Sequence, residues 1–444
     1  MKEHKLIGRY TDTKIQNIKS DEKVCHYIPL LEEGDLLFGV KNLIKLMHDH
    51  GLYPTERSFD MLMLSLLVYL ADTRISRYHH SDDSWTRYIS IEIPVWDYES
   101  WEACEKDFGR MLQFLTGDIW QISFVQKDEK SCSEKSEEER SSAYEQVSLF
   151  SGGMDSLIYV LDSLESGREK MLLISHANDS TIKNKRTDVL KGVVDFYKDR
   201  SVITSVDLWT KFKGNCLESF DENSTRSRSF LFIALGLFVM SGTSNLKTLF
   251  VPENGFIAMN VPLEAVRVGS HSTRTTHPFY FDGWNKILAS LGFDMAIENP
   301  YWAKTKGEMV QECKNKSLLK TLLDTAISCS SPSKSRWKGK SAQHCGYCYP
   351  CLIRRAALHS AGVIDSTRYL EESLSIMRDQ RDGASSINLR SIEYQLSKLP
   401  KGVELTKAYI LKTGPLLQNE EYLAQLAQVY QRGMQELHNF IRSF

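Results

Sequence analysis

Apolar positions along the chain fall into blocks of two periods. Ser58 to Ala71 (SFDMLMLSLLVYLA) is apolar almost throughout and reads as a buried helix, while Arg87 to Val95 and Ile119 to Val125 carry the β-branched and aromatic content of strands. An N-terminal α+β domain over residues 1–126 follows. Lys127 to Ser142 (KDEKSCSEKSEEERSS) has no large apolar residue, the composition of a linker. Beyond it strands alternate with helices. Gln146 to Phe150, Met171 to Ser175, Ser201 to Trp209 and Thr248 to Pro252 read as strands, and Lys185 to Tyr197 and Ser227 to Met240 as helices between them. That alternation predicts βαβ units, hence an α/β domain over residues 143–360 with a parallel sheet covered on both faces. Ligands in such sheets sit at the carboxyl ends of the strands. From about Val363 strand signals stop. The tail Asn419 to Phe444 has helical apolar spacing, so residues 361–444 are expected to be a helical extension.

Composition narrows the partners. The 444 residues carry 55 Lys and Arg against 57 Asp and Glu, a net charge of -2. Nothing in the bulk charge attracts nucleic acid or anionic lipid. The longest strongly apolar run, Phe230 to Met240, is far short of the roughly 20 residues of a membrane span, and MKEHKLIGRYTDTK lacks the apolar stretch of a signal peptide. A cytoplasmic protein is expected, with no membrane or nucleic-acid partner. Four of nine cysteines, Cys329, Cys345, Cys348 and Cys351, fall within 23 positions. In a reducing compartment such a cluster points to a metal rather than to disulfides. The scattered Cys104, Cys216 and Cys313 read as packing thiols.

Ser151-Gly152-Gly153-Met154-Asp155-Ser156 lies between a predicted strand and a predicted helix. Two glycines let backbone approach an anion, the helix start offers free N–H groups, and Ser151 and Ser156 add hydroxyls. Five specified residues would match by accident in roughly one chain in a thousand of this length. Asp155 is the odd member, because a carboxylate beside phosphates is repulsive unless it holds Mg²⁺ or caps the helix.

Cys345-Gly-Tyr-Cys348-Tyr-Pro-Cys351 doubles the CxxC spacing, with Cys329 upstream. Four thiolates suit a closed, structural Zn²⁺ site. An iron–sulfur cluster uses similar spacing, and His344 is an alternative ligand to Cys329 because the first gap is long.

The SGGMDS loop after the first strand of an α/β domain resembles the PP-loop ATP pyrophosphatases, in which the loop binds the pyrophosphate portion of ATP. With the Cys and CxxCxxC order added, the chain resembles the QueC family, the 7-cyano-7-deazaguanine synthases. Arg228 in TRSRSFLF and Lys306 in Thr305-Lys306-Gly307-Glu308 match family elements that open helices. The resemblance covers about Gln146 to Ala357. It implies ATP, Mg²⁺ and structural Zn²⁺ as cofactors. Ser151, Gly152, Gly153, Asp155, Ser156 and Ser175 would bind ATP, and Asp155, Ser156, Lys306 and Arg228 would be catalytic. QueC enzymes are about half this length, and the segment from Val251 through Gly269 to His277 is closer to the larger QueC-like proteins of anti-phage operons, the QatC group of the Qat system. The implied reaction is ATP-dependent adenylation of a 7-deazaguanine carboxylate, then attack by an amine, with a protein from the same operon as a partner. A non-catalytic sensor of nucleotide or deazaguanine and a synthase of queuosine biosynthesis are the other readings.

On the substrate side, Arg274, His271 and His277 cluster with Ser272, Thr273, Thr275 and Thr276 in a loop suited to clamp a carboxylate or triphosphate. Glu253 and Asn254, after the TLFVP strand, offer the groups that read the donor edge of a purine-like base.

Overall fold

A computed structural model describes residues 2–443 apart from 12–13, 32–34, 133, 178–179, 223, 263–273, 331, 334, 336–338, 340, 380–382 and 417–418. His271, Ser272 and Thr273 of the expected substrate loop therefore lie outside the described residues.

The N-terminal sheet is built from β1 (Glu3–Arg9), β2 (Gln16–Lys19), β3 (Lys23–Pro29), β4 (Tyr88–Val95) and β5 (Ile119–Gln126), in the order β2-β3-β1-β4-β5 with only β2 antiparallel. Between β3 and β4 runs α1 (Glu56–Arg74), capped by Thr55, whose side chain accepts from the Ser58 N–H. It is apolar on nearly every face because it is buried on nearly every face. One side meets β1 and β4 and the other meets a helix of the second sheet. Before β5 comes α2 (Glu105–Thr116).

The second sheet comprises β6 (Gln146–Leu149), β7 (Lys170–Ala177), β8 (Val202–Trp209), β9 (Thr248–Phe250) and β10 (Ala296–Glu298). All are parallel, in the order β10-β9-β6-β7-β8. The chain runs outward from β6 to β8 and returns to β9 on the other side, so the order reverses between β6 and β9. Loops leaving adjacent strands at such a point diverge and open a crevice at their carboxyl ends. The connecting helices are α3 (Met154–Glu165), α4 (Ser180–Tyr197), α5 (Arg228–Ser241) and α6 (Pro278–Ser290), and after β10 follow α7 (Lys306–Glu312), α8 (Tyr349–Ser360) and the long α9 (Glu420–Arg442).

The predicted parallel sheet and helical tail are present, but the junction after residue 126 is not a loose tether. Lys127 Nζ reaches Glu56 and lies 2.9 Å from Asp60 on α1, while the Ser131 and Cys132 N–H groups donate to Glu56 at 2.8 and 2.7 Å. Residues of both sheets, joined through α1 and α5, form one continuous apolar core. A polar composition concealed this because the segment is held by charge rather than by apolar contact. No helix among the described residues is long and apolar enough to cross a membrane.

Candidate active site

The Ser151–Ser156 loop leaves β6 at the reversal point. Gly152 has φ 75°, and a Cβ there would stand 2.9 Å from Arg186 Cβ, so glycine is required by both conformation and space. The loop amides meet hydroxyls: the Gly153 N–H donates to Ser151 Oγ at 3.2 Å and the Met154 N–H to Ser328 Oγ at 3.3 Å. Ser156 Oγ donates to the Gly153 carbonyl at 3.0 Å and lies 3.2 Å from Ser151 Oγ. Ser175, at the end of β7, donates to the Phe150 carbonyl at 2.7 Å and ties the neighbouring strand to the loop.

Asp155 faces across the crevice rather than capping its own helix. Its Oδ1 is 2.6 Å from Lys306 Nζ, and its Oδ2 accepts from the backbone N–H and side-chain amide of Asn254 at 3.2 and 2.8 Å. Asn254 Oδ1 in turn caps the short helix Gly255–Ala258 by accepting from the Ile257 N–H at 3.0 Å. The buried Asn254 side chain is therefore engaged at both ends, and it positions Asp155. Glu253, beside it, accepts from the Thr276 hydroxyl, and burial raises its carboxyl to about 7. Lys306 opens α7, whose Thr305–Glu308 capping box is complete. Glu436 on α9 accepts from the Thr305 hydroxyl and from the Gly307 N–H at 3.2 Å. The C-terminal helix thus supports the turn that presents Lys306.

Two guanidiniums converge on the end of β7. Arg228, the first residue of α5, donates to the His176 carbonyl at 3.2 Å, and Arg186 on α4 donates to the same carbonyl at 3.3 Å and pairs with Asp207 at 2.9 Å. Burial, reinforced by the nearby Arg186, lowers the Arg228 pKa. Burial first and Arg228 second hold His176 neutral, with a pKa down at about 3. Three cations, Lys306, Arg186 and Arg228, gathered beside a glycine loop with Asp155 and Asp207 as counter-charges, make a candidate site for a polyanion. Arg186 was not anticipated, although it shares a helical face with the buried Val189, Val193 and Tyr197.

The four expected cysteines come together, each offering a ligand atom within 4.8 Å of the others. Cys329 Sγ lies 3.8 Å from Cys348 Sγ, and Cys345 Sγ 3.9 Å from Cys351 Sγ. Zinc–thiolate bonds of about 2.3 Å in a tetrahedron put sulfurs about 3.8 Å apart, so the donor set fits Zn²⁺. His344 is no ligand here: its Nε2 accepts from the Ser328 N–H at 3.0 Å. Arg354 on α8 holds the same strand of chain by donating to the Ala326 carbonyl at 2.9 Å and the Leu323 carbonyl at 2.5 Å. The cysteine knuckle and Arg354 therefore set Ser328 against the Ser151–Ser156 loop.

Arg274 and His277 are engaged at the end of α2 and the start of α6. Arg274 donates to the Phe114 carbonyl at 2.7 Å and lies over the Phe114 ring, at the end of α2. His277 is fully buried and caps α6 by accepting from the Phe279 N–H at 3.2 Å, with Nε2 3.0 Å from Thr413 Oγ1. Thr276, between them, meets Glu253.

No family model matches the chain. Among curated proteins, it is similar to a 7-cyano-7-deazaguanine synthase of Methanocaldococcus jannaschii, with 23% identity over 239 residues, covering 51% of this chain and 99% of that protein.

Proposed function

We propose that the chain is a QueC-like, ATP-dependent enzyme that adenylates the carboxylate of a 7-deazaguanine and passes the acyl group to an amine. The observation that carries this reading is the glycine–serine loop at the reversal point of a parallel sheet, faced by the buried Asp155–Lys306 pair and flanked by Arg186 and Arg228. The similarity to a 7-cyano-7-deazaguanine synthase supports the substrate class.

ATP supplies the adenylyl group, and Asp155, whose carboxylate is engaged by Lys306 and Asn254 here, would be the residue to hold Mg²⁺, which would neutralise triphosphate charge. The loop amides of Gly153 and Met154 and the hydroxyls of Ser151 and Ser156 bind the pyrophosphate portion. Lys306 and Arg228 stabilise the charge that grows there as a carboxylate oxygen bonds to the α-phosphorus and the bond to pyrophosphate breaks. An amine nitrogen then bonds to the acyl carbon, AMP leaves with the carboxylate oxygen, and the amine loses a proton. Glu253, with a carboxyl at about 7, is suited to take that proton at neutral pH. A cleft lined by Thr276, Phe281, Asn299, Trp302 and Tyr422 adjoins Glu253 and offers aromatic faces to a flat heterocycle.

The N-terminal sheet shares a core with β6, which leads into the loop, and Glu436 on α9 supports the turn of Lys306; with these additions to a small synthase we read the chain alongside the larger QueC-like proteins of anti-phage operons, the QatC group. The acceptor is then an amine of a partner protein. Carboxylate-¹⁸O-labelled 7-carboxy-7-deazaguanine tests the chemistry: AMP gains one ¹⁸O if the carboxylate is adenylated, and unlabelled AMP rejects it. Free nitrile as the sole product, with the partner's mass unchanged, rejects the protein acceptor alone.

A further inference from the structure

The N-terminal sheet holds a second group of metal-ligating side chains, remote from the cysteines. His4 on β1, His26 on β3 and Glu218, between β8 and α5, are buried, and a ligand atom of each lies within 4.8 Å of the others. His80, which ends the short helix Arg77–His80, stands edge-on to His4 with ring centres 4.6 Å apart. We propose that His4, His26, Glu218 and, after a side-chain rotation, His80 form a second metal site for a borderline divalent cation such as Zn²⁺, fastening the N-terminal sheet to the segment that leads into α5.

The hydrogen bonds around the cluster fix one ligand's tautomer. Asn17 Nδ2 donates to the Leu217 carbonyl at 3.3 Å, so its Oδ1 faces His26 and accepts from the Nδ1–H at 2.8 Å. His26 Nε2 therefore carries a lone pair, which points at His4 Nδ1 from 3.1 Å. An imidazole held through its outer nitrogen by a carbonyl-type oxygen is how protein ligands to zinc are oriented. Two imidazole nitrogens on a tetrahedral zinc stand about 3.3 Å apart, close to the separation observed. Two further atoms of the group are unpaired: His80 Nε2 and Glu218 Oε1 are buried and find no hydrogen-bond partner among the described residues, whereas Glu218 Oε2 is held by Lys19 at 2.9 Å. Native proteins leave few buried polar atoms unpaired, and a single shared ion accounts for this local group. Imidazoles with one carboxylate suit Zn²⁺ and exclude Ca²⁺ or Mg²⁺, which prefer oxygen shells.

The site also has a mechanical consequence. Glu218 lies ten residues before Arg228 in the chain, so an ion here anchors the approach to α5 against β1 and β3.

The test uses the full chain, stripped with chelator, dialysed against Zn²⁺ and counted by elemental mass spectrometry. Wild type should take two equivalents, and Glu218→Gln and His4→Gln one each. Glu218→Gln keeps the shape of the side chain, so its fold is checked by an unchanged far-ultraviolet spectrum. With Co²⁺ as probe, wild type should show d–d bands additional to the thiolate charge-transfer of the cysteine site, and both variants should lose only those bands. A single equivalent in wild type with full thiolate charge-transfer, or two equivalents retained in both variants, overturns the proposal.

Discussion

Replacing Asp155 with Asn separates the electrostatic support of the crevice from its chemistry. Lys306 Nζ lies 2.6 Å from Asp155 Oδ1, with the two side chains 5% and 11% exposed. At an effective dielectric constant near 20, unit charges at that distance attract by about 6 kcal/mol, most of it offset by desolvation of both groups. Asp155→Asn leaves an ammonium buried without its counter-charge and weakens the two bonds from Asn254. The expected loss is about 3–5 kcal/mol. Adding Lys306→Met removes the orphaned charge and fills the same volume with an apolar chain. The double variant should therefore be more stable than the sum of the single changes by about 2–3 kcal/mol. Urea unfolding in the absence of nucleotide, at pH 7 and with matched m-values, measures both quantities. Pyrophosphate release from ATP should be abolished in all three variants, since stability is regained and the site is not. Additivity within about 0.5 kcal/mol, or an Asp155→Asn chain more stable than wild type, would refute the reasoning.

Stripping metal from the cysteine site should cut pyrophosphate release by about a hundredfold, the effect of displacing a loop by about 1 Å. Release should return with Zn²⁺, because the knuckle reaches Met154 through Ser328; full activity in metal-free protein counts against that linkage. Asp72 pairs with Arg77 and Arg87 at 2.9 and 2.8 Å and accepts from the Arg226 and Ser227 N–H groups at 2.7 Å each. Asp72→Asn should cost about 3–5 kcal/mol in urea unfolding. Against the effect of burial, Arg77 and Arg87 hold Asp72 down to about 2 from 3.8. Its stabilisation is thus present above about pH 3.8 and is lost as pH falls toward 2, so the variant should flatten that part of an acid-unfolding curve. Burial raises Glu436 to about 7 from 4.5, against the pull of the Thr305 hydroxyl and the Gly307 amide. Between those values the folded state binds more protons than the unfolded chain, so stability falls as pH rises through the window. Glu436→Gln should reduce that fall by on the order of 2–3 kcal/mol, and an unchanged slope in melting scans from pH 5 to pH 8 contradicts the assignment.

The alternation of strands and helices after residue 143 made the parallel sheet legible, and the spacing of the cysteines made the four-thiolate cluster legible, with SGGMDS falling where the strand order reverses. What stayed hidden shares one physical character. Arg186, Glu436 and His4 each occupy a position that the local period assigns to the core. Arg186 lies in phase with Val189 and Val193, Glu436 shares a buried helix face with Gly433 and Leu437, and His4 alternates with Leu6 on β1. A charged or titratable residue in core phase marks either a buried partner or a site, and the partners here lie on other elements of the chain: Asp207 on β8 pairs with Arg186, and Thr305 meets Glu436 from 131 positions upstream. The capping roles of Asn254 and His277 stayed hidden for the converse reason. Local helix capping, a short-range demand, uses their side chains. The polar stretch after residue 126 read as a tether because charge pairing with α1 leaves no apolar trace.

Pyrophosphate release by zinc-replete chain, with ATP·Mg²⁺ and 7-carboxy-7-deazaguanine, tests the phosphate loop as the seat of catalysis most directly. Release that requires the deazaguanine carboxylate and disappears in both Ser151→Ala/Ser156→Ala and Asp155→Asn is the predicted result. Silence from the wild-type chain, or release that survives those substitutions, would contradict it.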